Sequence, residues 1–91
     1  MITIRFFSKL RDHFDICTPK VEIGFKANIS VLNALNSAEK VLGKSIVAHL
    51  VEDGAIQDGI ILFVSGKKVS DASSVLADGD ELNFYTPPLG G

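Results

Sequence analysis

The sequence closes on Gly90 and Gly91, directly after Pro87, Pro88 and Leu89. A glycine pair carries no Cβ, so its backbone fits a channel too narrow for any side chain. The group this end offers for chemistry is the α-carboxylate of Gly91. Its ordinary pKa of about 3.3–3.7 makes it an anion at neutral pH, which repels nucleophiles, so it reacts only once activated, for instance as an acyl-adenylate. Gly54, Gly59, Gly66 and Gly79 each stand among turn residues rather than in a phosphate-cradling loop, which assigns the ATP site of any such activation to another protein. Residues 87–91 reach about 16 Å at about 3.3 Å per residue. Pro87-Pro88 restricts the base of that lever to extended conformations, so less entropy is lost when the tail enters a site. The expected organisation is one domain over residues 1–86 and a flexible tail over 87–91.

Other reactive side chains are sparse. Cys17 is the single cysteine, so no internal disulfide, iron–sulfur cluster or four-thiolate zinc site is built from this chain alone. His13 lies four residues before it, the spacing of a helical pair, but Thr18 precedes Pro19 and such a residue avoids the helical region. Cys17 reads better as a small hydrophobe than as a catalytic thiol. His49, Glu52 and Asp53 lack a further His or Cys at ligand spacing, so no metal site is expected. With 9 Lys and Arg scattered against 11 Asp and Glu, and a net charge of -2, the chain lacks the basic footprint of a nucleic-acid binder. The longest aliphatic and aromatic run, Ile60 to Val64, is far short of a membrane span. A cytoplasmic chain with no membrane and no nucleic acid as partner is expected.

The elements that must position the tail follow from periodicity. Ninety-one residues, 46% hydrophobic and 22% charged, fit one core. Ile2, Ile4 and Phe6 alternate with Thr3, Arg5 and Phe7, the period of a strand with one buried face. Leu10 and Phe14 suggest a short helical turn over 8–14. Val21, Ile23 and Phe25 alternate with Glu22, Gly24 and Lys26 to give a second strand, paired with the first as a long-looped hairpin. Ser30 as N-cap, Val31, Leu35, Ala38 and Leu42 on one stripe, and Gly43 at the end define the one long helix. A short helix is expected within Ser45 to Glu52, followed by a loop bracketed by Asp53-Gly54 and Asp58-Gly59. Ile60 to Ser65, Gly66 and Val69 predict a hairpin across Ser65 to Lys68, with Lys67-Lys68 at its solvated tip. Asp78-Gly79 turns the chain into a last strand on Leu82 and Phe84, which Pro87 stops. This is an α+β roll, one helix over one face of a mixed sheet, with the first and last strands side by side in the middle.

If Ile2, Ile4, Phe6, Leu82 and Phe84 face the helix, alternation sends Phe7 and Tyr85 to the open face, and Phe63 joins them. An aromatic patch at the border of which the tail leaves is a candidate docking surface. A homodimer contact is a competing use of the same patch, and a register shifted by one residue would instead make these rings part of the core.

Two stretches, LVEDGAIQDGIILFVSGKKV from Leu50 to Val69 and ADGDELNFYTPPLGG from Ala77 to Gly91, resemble the MoaD/ThiS-like sulfur-carrier family, nearest to the small subunit of molybdopterin synthase (MoaD). The resemblance covers the whole chain and is most specific at the end, where an Asp-Gly-Asp-Glu turn, an aromatic strand, Pro-Pro and Gly-Gly occur together. It implies the ubiquitin-like β-grasp fold. It also implies a non-catalytic sulfur carrier whose Gly91 is adenylated by a ubiquitin-activating-type enzyme using ATP and Mg, then converted to a thiocarboxylate by a sulfur donor protein. The carrier would then hand the sulfur to a precursor of the pterin cofactor while docked in the molybdopterin synthase large subunit, for molybdenum cofactor biosynthesis. By the same resemblance the tail Pro87, Pro88, Leu89, Gly90 and Gly91 is the working part and the chain binds no cofactor of its own, while the alternation above makes Phe7, Phe63 and Tyr85 the residues expected to meet the activating enzyme or the large subunit. A ubiquitin-like modifier joined to lysines through Gly91, a carrier for thiamin or tRNA thiolation, and a plain interaction module or Cys17 thiol enzyme remain as alternatives.

Overall fold

A computed structural model describes residues 1–7, 10 and 20–86. The expected helical turn over 8–14 (Leu10 apart), the His13 and Cys17 pair and the tail 87–91 lie outside the described residues.

Strand β1 (Ile2–Phe6) buries every second side chain, as its alternation requires. Strand β2 (Val21–Ile23) pairs antiparallel with it, Ile2 opposite Ile23 and Ile4 opposite Val21. Helix α1 (Val31–Leu42) follows, then the one-turn helix α2 (Val47–Leu50), strands β3 (Val51–Glu52), β4 (Ala55–Ile56), β5 (Ile61–Val64), β6 (Lys67–Val69) and β7 (Glu81–Tyr85). The main sheet runs β2-β1-β7-β5-β6, with β1 and β7 parallel at its centre and the other neighbours antiparallel. Parallel neighbours cannot be joined by a tight turn, and here the connection from β1 to β7 includes α1, which packs over the buried face. The first and last strands are therefore central neighbours, as expected.

Why α1 sits where it does is visible at its two ends. The Asn33 N–H donates to Ser30 Oγ at 3.1 Å and the Ser30 N–H to Asn33 Oδ1 at 3.3 Å, a reciprocal cap with Asn in the position that Glu or Gln usually fills. Two further first-turn donors, Val31 N–H and Leu32 N–H, are satisfied by the carbonyls of Ser74 and Ala72 at 3.0 and 2.9 Å. Those N–H groups have no partner inside a helix, so the loop over residues 71–76 serves as a second cap and ties the helix to the sheet. Gly43, at φ 67°, donates to the Glu39 carbonyl at 2.8 Å and ends the helix in the left-handed region that a side chain resists. The Glu39 carboxylate also accepts from Ile46 N–H (3.3 Å) and Val47 N–H (3.1 Å) and so caps α2 from the preceding helix.

Val31, Ala34, Leu35 and Ala38 of α1 lie fully buried against Ile2, Ile4, Leu62, Leu82 and Phe84, with Ile46 and Leu50 closing one end. Phe6 and Phe84 stack on this side at 5.4 Å. Complete burial of a Leu, Ile or Phe side chain contributes about 1.5–3 kcal/mol, so this layer fixes the sheet's register.

Two expectations are corrected. Asp53-Gly54 is not the edge of an open loop but the turn of a small hairpin, in which Val51 faces Ile56 and Glu52 faces Ala55. Val51 and Glu52 thus leave the helical stretch, since Asp-Gly favours a two-residue hairpin turn once extended residues flank it. The β5–β6 turn consists of Ser65 and Gly66 alone, at φ 48° and 88°, and Lys67 and Lys68 belong to strand β6 rather than to the tip. Positive φ at both turn residues matches the twist of a hairpin and suits Gly66.

Candidate functional site: the open sheet face at the end of β7

The face of the sheet away from α1 is built by residues that alternate with the core. In register across it lie three rows. Glu22, Thr3 and Glu81 form the first, Arg5, Asn83, Phe63 and Lys68 the second, and Phe7, Tyr85 and Ile61 the third. The third row stands at the end of β7, where the chain continues through Thr86 toward Pro87, and so adjoins the point from which the tail departs.

The expected aromatic residues meet there. Phe7 and Tyr85 stack with ring centroids 4.8 Å apart and planes 8° from parallel, and Phe63 meets Tyr85 edge-on at 5.9 Å and 82°. Both arrangements are the favoured ones for aromatic quadrupoles. Each ring is half-buried, partly by its neighbours, so the patch is pre-ordered before any partner arrives. More exposed apolar side chains occur elsewhere: Met1 before β1, Phe25 after β2, Val41 on α1 and Val75 in the loop after β6.

Periodicity placed Arg5 on this face but gave no sign of its state. Arg5 Nε lies 3.7 Å from Glu81 Oε1, an ion pair too long for a hydrogen bond, and is itself shut from solvent with no hydrogen-bond partner. Its neighbour across the strand pair, Asn83, has Oδ1 equally buried and equally unpartnered. Glu22 by contrast is paired with Lys20 at 3.2 Å. The signal that would have found this pair is the register of β1 on β7, which no single-strand pattern reveals.

Among the described residues no three His, Cys, Asp or Glu side chains gather as a metal ion would need. Among the described residues no helix is long and apolar enough to cross a membrane. Gly91, Gly90, Leu89, Pro88 and Pro87 lie outside the described residues, so the site's geometry here is that of the platform from which they extend. Asp71 lies in the loop after β6, where Ser73 donates to it through its hydroxyl (2.7 Å) and its N–H (2.8 Å), holding it below the usual carboxylate range.

No protein-family model matches the chain, and no curated protein matches it in sequence. Solved structures do. CysO in the BexX/CysO complex of Amycolatopsis orientalis superposes with a TM-score of 0.78 at 22% identity over 100% of both chains. The chain has a ubiquitin-like β-grasp fold. SAMP1 from Haloferax volcanii matches at TM-score 0.76 and 21% identity, covering 99% of this chain and 98% of that one. A putative molybdopterin converting factor, subunit 1, from Pyrococcus furiosus matches at 0.66 and 18%, over 96% and 97%. Near-complete coverage in both directions means that this β-grasp domain and its neighbours are of one size. The likeness at these identities is one of fold.

Proposed function

We propose that this β-grasp chain is a sulfur carrier of the molybdopterin-synthase small-subunit type. The observation that carries the reading is the third row: the strand that leads to the Gly-Gly end is central, and it leaves the domain beside the ordered Phe7–Tyr85–Phe63 cluster. A rigid sheet, with an aromatic surface at the base of the tail, allows a partner to hold the domain while the carboxyl group lies in the partner's own site. The matched folds support it, since one is a putative molybdopterin converting factor subunit and another is a CysO bound in a complex.

In the proposed sequence the Gly91 carboxylate attacks the α-phosphorus of ATP on a ubiquitin-activating-type enzyme, with Mg bound there, and pyrophosphate leaves. Hydrosulfide, or its equivalent from a sulfur donor protein, then adds to the acyl carbon. The carbon–sulfur bond forms, the carbon–oxygen bond to AMP breaks, and the thiocarboxylate results. This chain contributes positioning: the domain is the handle, Pro87 and Pro88 stiffen the base, and Gly90 and Gly91 fit the narrow channel. Acid, base and phosphate-binding groups belong to the partners, and the proposed acceptor of the sulfur is a pterin precursor held in the molybdopterin synthase large subunit. A mass gain of one sulfur for one oxygen on the intact chain, after incubation with its activating enzyme, MgATP and sulfide, tests the reading; an unchanged mass refutes it.

A second reading is favoured by SAMP1, of which another structure, named small archaeal modifier protein 1, matches at TM-score 0.71 and 19% identity. In it the Gly91 acyl group passes to a lysine amine instead of to sulfur. Isopeptide-linked conjugates in cell extract distinguish the two acceptors.

A further inference from the structure

Strand β6 is an outer strand of the sheet, and the register decides which of its main-chain groups are already used. Val64 and Lys67 flank the two-residue turn, and Leu62 faces Val69; both are mutually hydrogen-bonded pairs, so Phe63 and Lys68 between them form the non-bonded pair. The other side of β5 agrees, since Ser65 N–H points away from β6 and donates to Glu81 on β7 at 2.9 Å. Lys68 therefore turns its N–H and C=O outward. Ser70 follows the same pattern, and its carbonyl accepts from Ile56 N–H at 2.8 Å. There the cover ends, because Gln57 N–H is drawn to the Leu50 carbonyl (2.9 Å) and Gln57 Nε2 to the Ala48 carbonyl (2.7 Å). Strand β4 thus stops one bonding position short of Lys68, whose two main-chain groups have no partner among the described residues.

The gap beside Lys68 is a groove of about 460 Å³ between β6 and the loop over residues 57–60, lined by Ile56, Ile60 and Val69 and by the charged Asp58 and Lys68. Lys67 and Lys68 are exposed and alternate to opposite faces of the strand, while Val69 is half-buried. An uncovered edge is a template for a further strand, and its side chains decide which strand it accepts. A second copy added antiparallel about Lys68 would set Lys68 against Lys68, and like charges directly opposite are destabilising. The same two cations favour a strand that carries carboxylates.

We propose that the β6 edge receives an extended acidic segment of another protein, added antiparallel as one more strand, with the sequence order apolar, acid, acid. The apolar residue lies opposite Val69 in the groove, the first acid opposite Lys68 and the second opposite Lys67. The first acid's N–H donates to the Lys68 carbonyl, and its carbonyl accepts from Lys68 N–H, so both outward groups are satisfied. Asp58 opposes an acid within the groove, which leaves that place to the apolar residue and fixes the register. Contact is made at the sheet edge rather than on the open face, and it is independent of the chemistry at Gly91.

The test is an amide NMR titration of the full chain with a blocked peptide containing Val-Ile-Glu-Glu-Thr. A strand this short binds with a Kd of about 0.1–1 mM at about 50 mM salt. Shifts fall on residues 67–70 and 56–60, and hydrogen exchange at the Lys68 amide slows about tenfold or more at saturation. Lys67→Glu and Lys68→Glu each weaken binding about tenfold, shrinking to about twofold at about 0.5 M salt. Methylating the main-chain nitrogen of the peptide's first glutamate removes the donor to Lys68 and abolishes binding. Lys68→Pro does the same from the other side; an outward N–H on an edge strand is where proline leaves the ladder intact. Should that variant fail to fold, the methylated peptide tests the same bonds on the unaltered chain. Undiminished binding of the methylated peptide, shifts centred on Phe7 and Tyr85, or no shift at about 5 mM peptide would each overturn the proposal. So would a Lys68 amide that shifts with chain concentration in the absence of peptide, together with a dimeric mass, since a second copy would then be the occupant.

Discussion

Phe7 and Tyr85 stack 4.8 Å apart across the parallel β1–β7 pair, joining the first strand to the strand that leads into the Gly-Gly end. The pair stiffens the point where the tail leaves, and a double-mutant cycle on the free chain should assign it a coupling of about 0.5–1.5 kcal/mol. Partner binding should respond more strongly. Tyr85→Ala and Phe63→Ala are each expected to weaken affinity for the activating enzyme by about 1–3 kcal/mol in titration calorimetry. Unaltered affinity in both variants would remove the aromatic face from the docking surface.

Asn83 separates stability from use. Its Oδ1 is buried without a donor, so Asn83→Leu should stabilise the free domain by about 1 kcal/mol, read as a higher urea midpoint at constant slope. A lower midpoint would mean that Asn83 is satisfied in solution and that its orphaned state is not a feature of the free chain.

Leu35 on α1 is fully buried and Val41 on the same helix is 64% exposed. Leu35→Ala is expected to cost about 2–5 kcal/mol, a large part of the about 5–12 kcal/mol available to a domain of this size. Val41→Ala should stay within about 0.5 kcal/mol. Denaturant melts of the two variants check the assigned helix face, and comparable losses would contradict it.

Asp71 gives the fold a mild dependence on acid. Hydrogen bonds from Ser73 lower its folded pKa, so the contribution is complete above the unfolded value and is lost as pH falls through the folded one. The stability gap between the unaltered chain and Asp71→Ala should therefore narrow as pH falls below about 4, the unfolded value. A gap that is constant with pH would show that the Asp71 charge does not hold the turn. The carboxyl is fully exposed, so the effect is small.

The parts of the molecule that obey a local period were legible in the sequence. Ile2, Ile4 and Phe6 declared a face because strand side chains alternate, and Ser30 and Gly43 declared the ends of α1 because caps have few chemical solutions. The β-grasp order does not follow from periodicity alone, since nothing local states that β1 and β7 are parallel neighbours. The β3–β4 hairpin was missed because its strands have two residues each, too few to show alternation beside a helix signal. The Arg5–Asn83 pair was invisible for a related reason. It exists only through the β1–β7 register, and hydrogen-bond satisfaction depends on rotamers that no spacing encodes. Phe7, Phe63 and Tyr85, by contrast, were placed together correctly because one face assignment fixes all three.

In the proposed reaction the Gly91 carboxyl group is the set of atoms that reacts. After incubation with the activating enzyme, MgATP and sulfide, mass spectrometry of the carboxyl-terminal peptide should show one oxygen replaced by sulfur at Gly91. The same chain extended by one alanine should remain unchanged. Sulfur loading of the extended chain to the same degree, or a mass gain that maps to Cys17 instead, would contradict it.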